Sequence, residues 1–229
     1  MTPSYHMLGG GVTATVAPAF DGFVPEDFAL FTVPEFAPRM RALGEHLRPR
    51  LEALAALLAP RLEEALGVAL YPHVAAHRRR TVNPPPETWA AFGPDPRRYK
   101  AYAHYAVGVD AEGVWLRLVL KDEAEADRAA LARLLADDPR LTSSLPSDMR
   151  VRGPAGAREV GAPASEREVA VLRRRRDASW SVGRDLGADH PDLGRAEGVV
   201  ARAVDAFAAL APVWRRLPSS PWSRPHPFR

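Results

Sequence analysis

The chain has 229 residues and 46% of them are hydrophobic, which is enough for one domain with a substantial core. It contains no cysteine, and this excludes disulfides, thiolate catalysis and cysteine-ligated metal sites. Its 31 basic and 28 acidic residues give a formal charge of +3, so overall charge says little about partners and local clusters of charge matter more.

The two ends differ in composition from the rest of the chain. Residues 1–24 are rich in Gly, Pro, Thr and Ala without a sustained period, and residues 217–229 contain four prolines. The sequence therefore predicts a flexible N-terminal tail (1–24), a single α+β domain (25–216) and a Pro-rich C-terminal tail (217–229). The start lacks the features of a signal peptide, and no apolar run of 18 or more residues occurs. We therefore expect a cytoplasmic protein that does not contact a membrane.

The first long pattern in the domain is helical. Apolar residues recur every three or four positions from Glu35 to Leu66. Pro49 and Pro60 disfavour one regular helix, so we expect two helices or one kinked helix, with Pro49 near a new first turn. Gly67 is expected to end this region.

Strand-like patterns occupy the middle of the chain. Four short segments are rich in β-branched and aromatic residues: 69–74, 88–92, 104–109 and 114–120. The sequence Asp110-Ala-Glu-Gly113 separates the last two segments and predicts a β-hairpin.

Helical and strand-like patterns alternate after this hairpin. The predicted elements are a helix over 122–135, weak strands near 149–152 and 159, a helix from Ser165, a strand over 179–186 and a helix over 193–210. Ser165 and Glu168 have the spacing of a capping box, and Pro212 is expected to close the last helix. This order predicts an α+β fold: a single domain with a largely antiparallel sheet and helices packed on one face.

Several motifs resemble those of one protein family. They are DFALFTV (27–33), YPHVAAHRRRTVNPP (71–85), TWAAF (88–92), RRYK (97–100), AHYAVGV (103–109) and SVGR (181–184). Together they resemble the YktB-like family of bacterial proteins of unknown function, over roughly Phe28 to Trp214. The resemblance implies a compact domain with a curved, largely antiparallel sheet, similar to TATA-binding-protein-like folds. It implies no activity and assigns no functional residue.

The segment from Tyr71 to Tyr105 holds most of the chemically versatile side chains. It contains six basic and two acidic residues, so its local charge of +4 exceeds that of the whole chain. Arginine binds phosphate and carboxylate through paired hydrogen bonds, and aromatic rings stack on bases. The candidate ligand-binding residues, with Arg184 added from the later SVGR motif, are His73, His77, Arg78, Arg79, Arg80, Asn83, Trp89, Arg98, Tyr99, Lys100, His104 and Arg184.

A metal site is a weaker interpretation of the same histidines. His73 and His77 would share one face of a helix, but the surrounding pattern predicts a strand, which would hold them about 13 Å apart. No HExxH motif, P-loop or dinucleotide fingerprint occurs. The sequence therefore predicts no metal and no cofactor.

Three hypotheses about function follow. The first is a non-enzymatic module whose partner is nucleic acid or a phosphorylated small molecule. The second is an enzyme for a small anionic substrate, with His73, His77 or His104 as acid or base and Arg79 as a clamp. The third is a structural role, in which the histidines, the prolines and Asn83 stabilise an unusual loop and function depends on an unidentified protein partner.

Overall fold

The computed structural model of the protein describes residues 19–78 and 80–223. Arg79, most of the predicted N-terminal tail and the last six residues, which include Phe228, lie outside these ranges. The elements that the described residues form are helices and antiparallel strands, so the predicted α+β class is confirmed.

The first helical region is continuous across nearly all of its predicted length. It follows a short helix, α1 (Pro25–Ala29), and consists of α2 (Phe36–Ala42), a π-helical turn (Leu43–Leu47) and α3 (Arg48–Leu66). The π turn precedes Pro49, whose ring clashes with a regular preceding turn, and the N–H of Arg48 donates to the carbonyl of Leu43. Of the two arrangements expected at Pro49, the structure therefore shows one helical region with a wider turn and not two separate helices. Gly67 ends α3 with a φ of 69°, as the sequence predicts.

Seven strands form one open sheet. They are β1 (Tyr71–Val74), β2 (Glu87–Gly93), β3 (His104–Asp110), β4 (Gly113–Leu120), β5 (Arg150–Gly153), β6 (Gly156–Glu159) and β7 (Trp180–Gly187). Their order across the sheet is β1-β2-β3-β4-β7-β5-β6, and every neighbouring pair is antiparallel. The predicted hairpin joins β3 to β4. Pro72 is tolerated because β1 lies at one edge of the sheet.

Helices and sheet share a large core on one face of the sheet. The later helices are α4 (Glu125–Asp137), α5 (Glu166–Arg174) and α6 (Ala196–Trp214). Tyr105 of β3 stacks on Phe207 of α6 with 4.5 Å between ring centroids. Ser165 caps α5 as predicted, because its Oγ accepts the N–H of Glu168 at 3.1 Å. None of the helices that the described residues form is long and apolar enough to cross a membrane.

Pro60 and Pro212 lie beyond the first turn of their helices. Pro60 lies within α3, and Pro212 lies within α6. Each proline deprives one carbonyl of its helical partner, namely the carbonyl of Ala56 or Ala208. Both prolines and both alanines are exposed, so water can bond to these carbonyls. The prediction that Pro212 closes the last helix is therefore wrong.

The opposite face of the sheet, called the outer face below, carries a smaller apolar layer. Its buried residues are Ala75, Trp89, Ala91, Ala106, Trp115 and Val119. Trp89, Gly108 and Trp115 form one row across β2, β3 and β4. A Cβ atom on Gly108 would lie 1.9 Å from the Trp115 ring, so the missing side chain makes room for the indole against the sheet.

Parts of both predicted tails pack against the domain. Phe20 and Phe23 are buried in the core, and the N–H of Phe23 donates to the carbonyl of Leu193 at 2.7 Å. At the other end, Trp222 Nε1 donates to the carbonyl of Leu66 at 3.0 Å. The described residues of both ends are thus attached to the folded domain.

Candidate functional site

Two loops bring the Tyr71–Tyr105 segment together at the β1 side of the outer face. Residues 75–86 connect β1 to β2, and residues 94–103 connect β2 to β3. His77 has a φ of 49°, which is uncommon for a residue with a side chain, and its carbonyl accepts the N–H of Arg80 at 3.0 Å. This turn folds the first loop back beside β2.

Five rings contact one another at this place. His73 stacks on Tyr99 with 5.0 Å between ring centroids, and Tyr99 meets His104 edge-on at 4.9 Å. The indole N–H of Trp89 donates to Tyr99 Oη at 3.2 Å, and His77 lies edge-on to Trp89 at 5.4 Å. The three histidines of the segment therefore belong to one aromatic cluster.

Each of these histidines also has a polar partner. The partners are the carbonyl of Asp95 for His73 Nε2 (3.1 Å), Thr88 Oγ1 for His77 Nε2 (3.0 Å) and the carbonyl of Tyr102 for His104 Nδ1 (2.9 Å). Within residues 19–78 and 80–223, no three His, Asp or Glu side chains come together in a way that could hold a metal ion. The contacts that are present orient the rings.

A cavity of about 370 Å³ opens beside the cluster, and we call it the Arg80 cavity. Its lining residues are Ala75, Ala76, His77, Arg78, Arg80, Trp89, Tyr99 and Lys100. Three of these are cations and two are large aromatics, while the described part of the lining contains no acidic residue. The volume falls within the range of small-ligand sites.

Burial and positive charge both act on the histidines of the site. The pKa of His77 is lowered to about 4, mainly because burial disfavours the charged ring, and repulsion from Arg80, Lys100 and Lys121 lowers it further. Burial lowers the pKa of His104 to about 3. Both imidazoles are therefore neutral at pH 7, so the positive charge of the cavity comes from arginine and lysine.

Two cation–aromatic contacts continue across the outer face. Lys121 Nζ lies 4.4 Å from the centroid of the Trp89 ring, and Arg117 Cζ lies 4.6 Å from that of Trp115. The candidate residues that the sequence indicates do not include Lys121, Arg117 or Trp115. One available signal was Arg117, a cation within an otherwise apolar strand, and another was Lys121, one of only two lysines.

Six of the twelve candidate residues line the Arg80 cavity, namely His77, Arg78, Arg80, Trp89, Tyr99 and Lys100. His73 and His104 contact the aromatic cluster without lining the cavity. Asn83 and Arg98 are exposed, and Arg79 lies outside the described residues. The third hypothesis expects Asn83 to be buried and to stabilise the loop, but Asn83 is exposed.

Arg184 lies on the helix-covered face of the sheet. It pairs in register with Leu116, a core residue, and its guanidinium contacts the carboxylates of Asp148 at 2.5 Å and Asp205 at 2.8 Å. Asp205 belongs to α6, so Arg184 links the sheet to the helical layer. The sheet therefore separates Arg184 from the Arg80 cavity.

Comparison with known proteins identifies a family without an assigned activity. The chain is similar to UPF0637 protein SAS1041 of Staphylococcus aureus strain MSSA476 and to UPF0637 protein MW0989 of strain MW2, at 36% identity over 129 residues in each case. The aligned part covers 56% of this chain and 63% of each relative, which is less than two thirds of their length. A family model described as "Domain of unknown function (DUF1054)" matches residues 23–214. Because this match spans most of the chain, the protein belongs to the DUF1054 family, as its sequence motifs indicate.

Proposed function

We propose that this protein binds a small phosphorylated ligand in the Arg80 cavity. The observation that carries the proposal is the lining of the cavity. Arg78, Arg80 and Lys100 are cationic, and none of the described lining residues carries a carboxylate. Guanidinium groups bind phosphate through paired N–H donors. Trp89 and Tyr99 add an aromatic wall against which a planar group can pack.

The state of the arginines supports this proposal. Arg78 and Arg80 are exposed at the mouth of the cavity. Arg80 Nη1 donates to the carbonyl of Asn83 at 3.4 Å, which is a long hydrogen bond to a neutral group. A phosphate would provide a shorter, charge-assisted partner for the same guanidinium.

The size and surroundings of the cavity favour a small ligand over a nucleic-acid strand. A strand needs an open, positively charged path for successive phosphates. Glu87 lies on the outer face beyond the cavity, where its carboxylate would repel such a backbone, whereas Asp185 on the same face is paired with Arg117 and Arg152. We therefore treat nucleic acid as the alternative ligand, and the binding experiment below distinguishes it from a small phosphorylated molecule.

Acid–base catalysis by the buried histidines has less support. A catalytic acid or base works best with a pKa near the working pH. The pKa of His77 is lowered to about 4 and that of His104 to about 3. Both rings are therefore uncharged at pH 7 and far from the pH at which they would gain a proton. These values favour binding over catalysis by His77 or His104.

Uridine 5′-monophosphate and uridine test the proposal, because they differ only by the phosphate. Each is titrated into the full-length protein while tryptophan fluorescence is recorded. We expect the monophosphate to bind about tenfold tighter or more, since hydrogen bonds to charged groups contribute roughly 1.5–3 kcal/mol. Arg80→Gln and Lys100→Gln should each remove most of this difference. Arg167→Gln, which changes an exposed arginine on α5, is the matched control and should bind as the unchanged protein does.

Two results would contradict the proposal. One is equal affinity for the monophosphate and for uridine. The other is binding of the monophosphate that does not weaken as salt concentration rises, because a phosphate contact must be screened by salt. Much tighter binding of an oligothymidylate than of its mononucleotide, at one salt concentration, would identify nucleic acid as the ligand instead.

A further inference from the structure

The two lysines of this chain lie close to the same site. All other basic residues among the 31 are arginine. Lys100 lines the Arg80 cavity, and Lys121 follows β4 with its Nζ over Trp89. Arginine stays protonated at any physiological pH, whereas lysine loses its proton readily when it is buried. The only two lysine amines of the chain therefore lie beside cavities of the outer face, where a neutral amine could react with a bound ligand.

Lys121 lines a second cavity of about 250 Å³ on the outer face, which we call the Lys121 cavity. Arg117, Arg152 and Ser181 line the same cavity, together with one carboxylate, that of Glu87. Trp115 also lines it, and the indole N–H of Trp115 is buried without a hydrogen-bond partner among the described residues. A buried donor without a partner is a group that a ligand oxygen can satisfy.

The charges around Lys121 act in both directions. Burial is the largest influence and lowers the pKa of the Lys121 amine, and the positive charge of Lys100 acts in the same direction. The carboxylates of Glu87, Glu123 and Asp122 raise this pKa. The net direction is downward, so a larger fraction of the amine is neutral at pH 7 than for an exposed lysine.

We propose that the amine of Lys121 is a nucleophile that forms an imine with a small aldehyde or ketone carrying an anionic group. The neutral Nζ attacks the carbonyl carbon, and both amine hydrogens leave with the carbonyl oxygen as one molecule of water. The step needs no oxidant or reductant. A lysine that is desolvated and close to a second cation is a known arrangement for this chemistry.

The two arginines of the Lys121 cavity provide a place for the anionic group. Arg117 and Arg152 both contact the carboxylate of Asp185, and the Arg152–Asp185 distance is 2.5 Å. A guanidinium has five N–H donors, so one shared carboxylate does not exhaust both side chains. This inference concerns the Lys121 cavity and does not depend on phosphate binding in the Arg80 cavity.

The small number of amines in this chain makes the test direct. The full-length protein is incubated at neutral pH with glyoxylate and sodium cyanoborohydride, which reduces each imine to a stable secondary amine. Tandem mass spectrometry then measures labelling at Lys121, at Lys100 and at the α-amine separately. We expect Lys121 to be labelled severalfold faster than Lys100, because burial increases the neutral fraction of the Lys121 amine. Glycolaldehyde, a neutral aldehyde of similar size, should label Lys121 more slowly than glyoxylate does.

Three variants serve as controls. Lys121→Arg should lose the fast label, while Arg167→Gln, which changes an exposed arginine on α5, should keep it. Arg152→Gln should slow labelling by glyoxylate but not by glycolaldehyde, because only glyoxylate carries a carboxylate for the arginine to bind. The circular dichroism of each variant is compared with that of the unchanged protein.

The proposal is overturned if Lys121 and Lys100 are labelled at equal rates in the folded protein. It is also overturned if unfolding in urea leaves the labelling rate of Lys121 unchanged, because the fold would then contribute nothing. These two results come from the unchanged chain, so the test stands even if Lys121→Arg does not fold. A failure here leaves binding of uridine 5′-monophosphate to the Arg80 cavity unaffected, and the reverse also holds.

Discussion

His104 illustrates how the environment of one side chain sets its chemistry. The sequence marks it as a candidate acid or base, because histidine titrates near neutrality. In the fold it is fully buried, with one ring nitrogen 2.9 Å from the carbonyl of Tyr102 and its ring edge-on to Tyr99. Burial disfavours the charged ring and lowers the pKa of His104 to about 3. The residue type was visible in the sequence, whereas its protonation state depends on the packing around it.

This burial predicts that stability falls as the solution becomes acidic. The pKa of His104 is about 3 in the folded chain and about 6.5 when unfolded, so below pH 6.5 protons bind preferentially to the unfolded chain. Above pH 6.5 the His104 ring is neutral in both states and does not lower stability. As the pH falls from 6.5 towards 3, the free energy of unfolding decreases progressively, because only the unfolded chain gains a proton at this ring. We expect His104 to contribute a loss of about 2 kcal/mol between pH 7 and pH 5, and His77, whose pKa is lowered to about 4, to contribute a similar loss, so urea unfolding should show the sum of both.

The exposed His46 provides the control for this pH dependence. His46→Gln should leave the loss between pH 7 and pH 5 as it is, because His46 is exposed. The ring signals of His104 in NMR spectra should show no titration down to pH 4. Titration near pH 6.5, or a stability that does not change over this range, would contradict the assignment.

At the scale of elements, three neighbouring strands build the tryptophan row of the outer face. Strand alternation places Trp89 on β2 and Trp115 on β4 on the same side of the sheet, with Gly108 of β3 between them. The alternation within each strand can be predicted from sequence. Gly108 lies opposite Trp89 on one side and opposite Trp115 on the other. These two pairings depend on the register of β2 with β3 and of β3 with β4.

Gly108→Ala tests whether this row requires a glycine. A Cβ atom at position 108 would lie 1.9 Å from the Trp115 ring, so either the indole or β3 must move. We expect a loss of about 1–3 kcal/mol in the free energy of unfolding, as for other overpacked sites, measured in urea.

Gly161→Ala is the matched control for the substitution at Gly108. A Cβ atom at position 161 meets nothing within 4 Å, and its backbone is not in the left-handed region. This variant should unfold within about 0.5 kcal/mol of the unchanged protein. Equal stabilities of Gly108→Ala and Gly161→Ala would show that Trp115 does not occupy the space above Gly108.

At the scale of the whole molecule, contacts from the chain ends complete the core. Trp222 donates to the carbonyl of Leu66 at 3.0 Å and meets Trp214 edge-on, with 5.8 Å between ring centroids. Arg215 Cζ lies 4.8 Å from the centroid of the Trp222 ring. The composition of residues 217–229 predicts a Pro-rich tail, and Trp222 within it attaches the chain to the ends of α3 and α6.

Substitution of Trp222 tests this attachment. We expect Trp222→Ala to lower the free energy of unfolding by about 2 kcal/mol, because the ring is only partly buried and a buried aromatic contributes more. Trp222→Phe keeps a ring against Trp214 but removes the N–H, so its loss should be about 1 kcal/mol. Thermal or urea unfolding measures both. An unchanged stability of Trp222→Ala would show that this end is not attached in solution.

Local features of this fold could be predicted because their causes lie within a few residues. The cap at Ser165, the hairpin after Asp110 and the helix end at Gly67 are each set by neighbouring backbone groups. The positive charge of the Tyr71–Tyr105 segment is likewise a property of its own residues.

The composition of the site depends on contacts between distant parts of the chain. Strand β7 lies between β4 and β5, and this order sets which side chains reach the Lys121 cavity. Arg184 was grouped with the site by its motif, yet alternation along β7 directs it to the helix-covered face. The amino-acid sequence thus establishes the classes of element and the charge near the site. The faces, the strand order and the meeting of Lys121 with Trp89 follow from packing between strands, which no local pattern encodes.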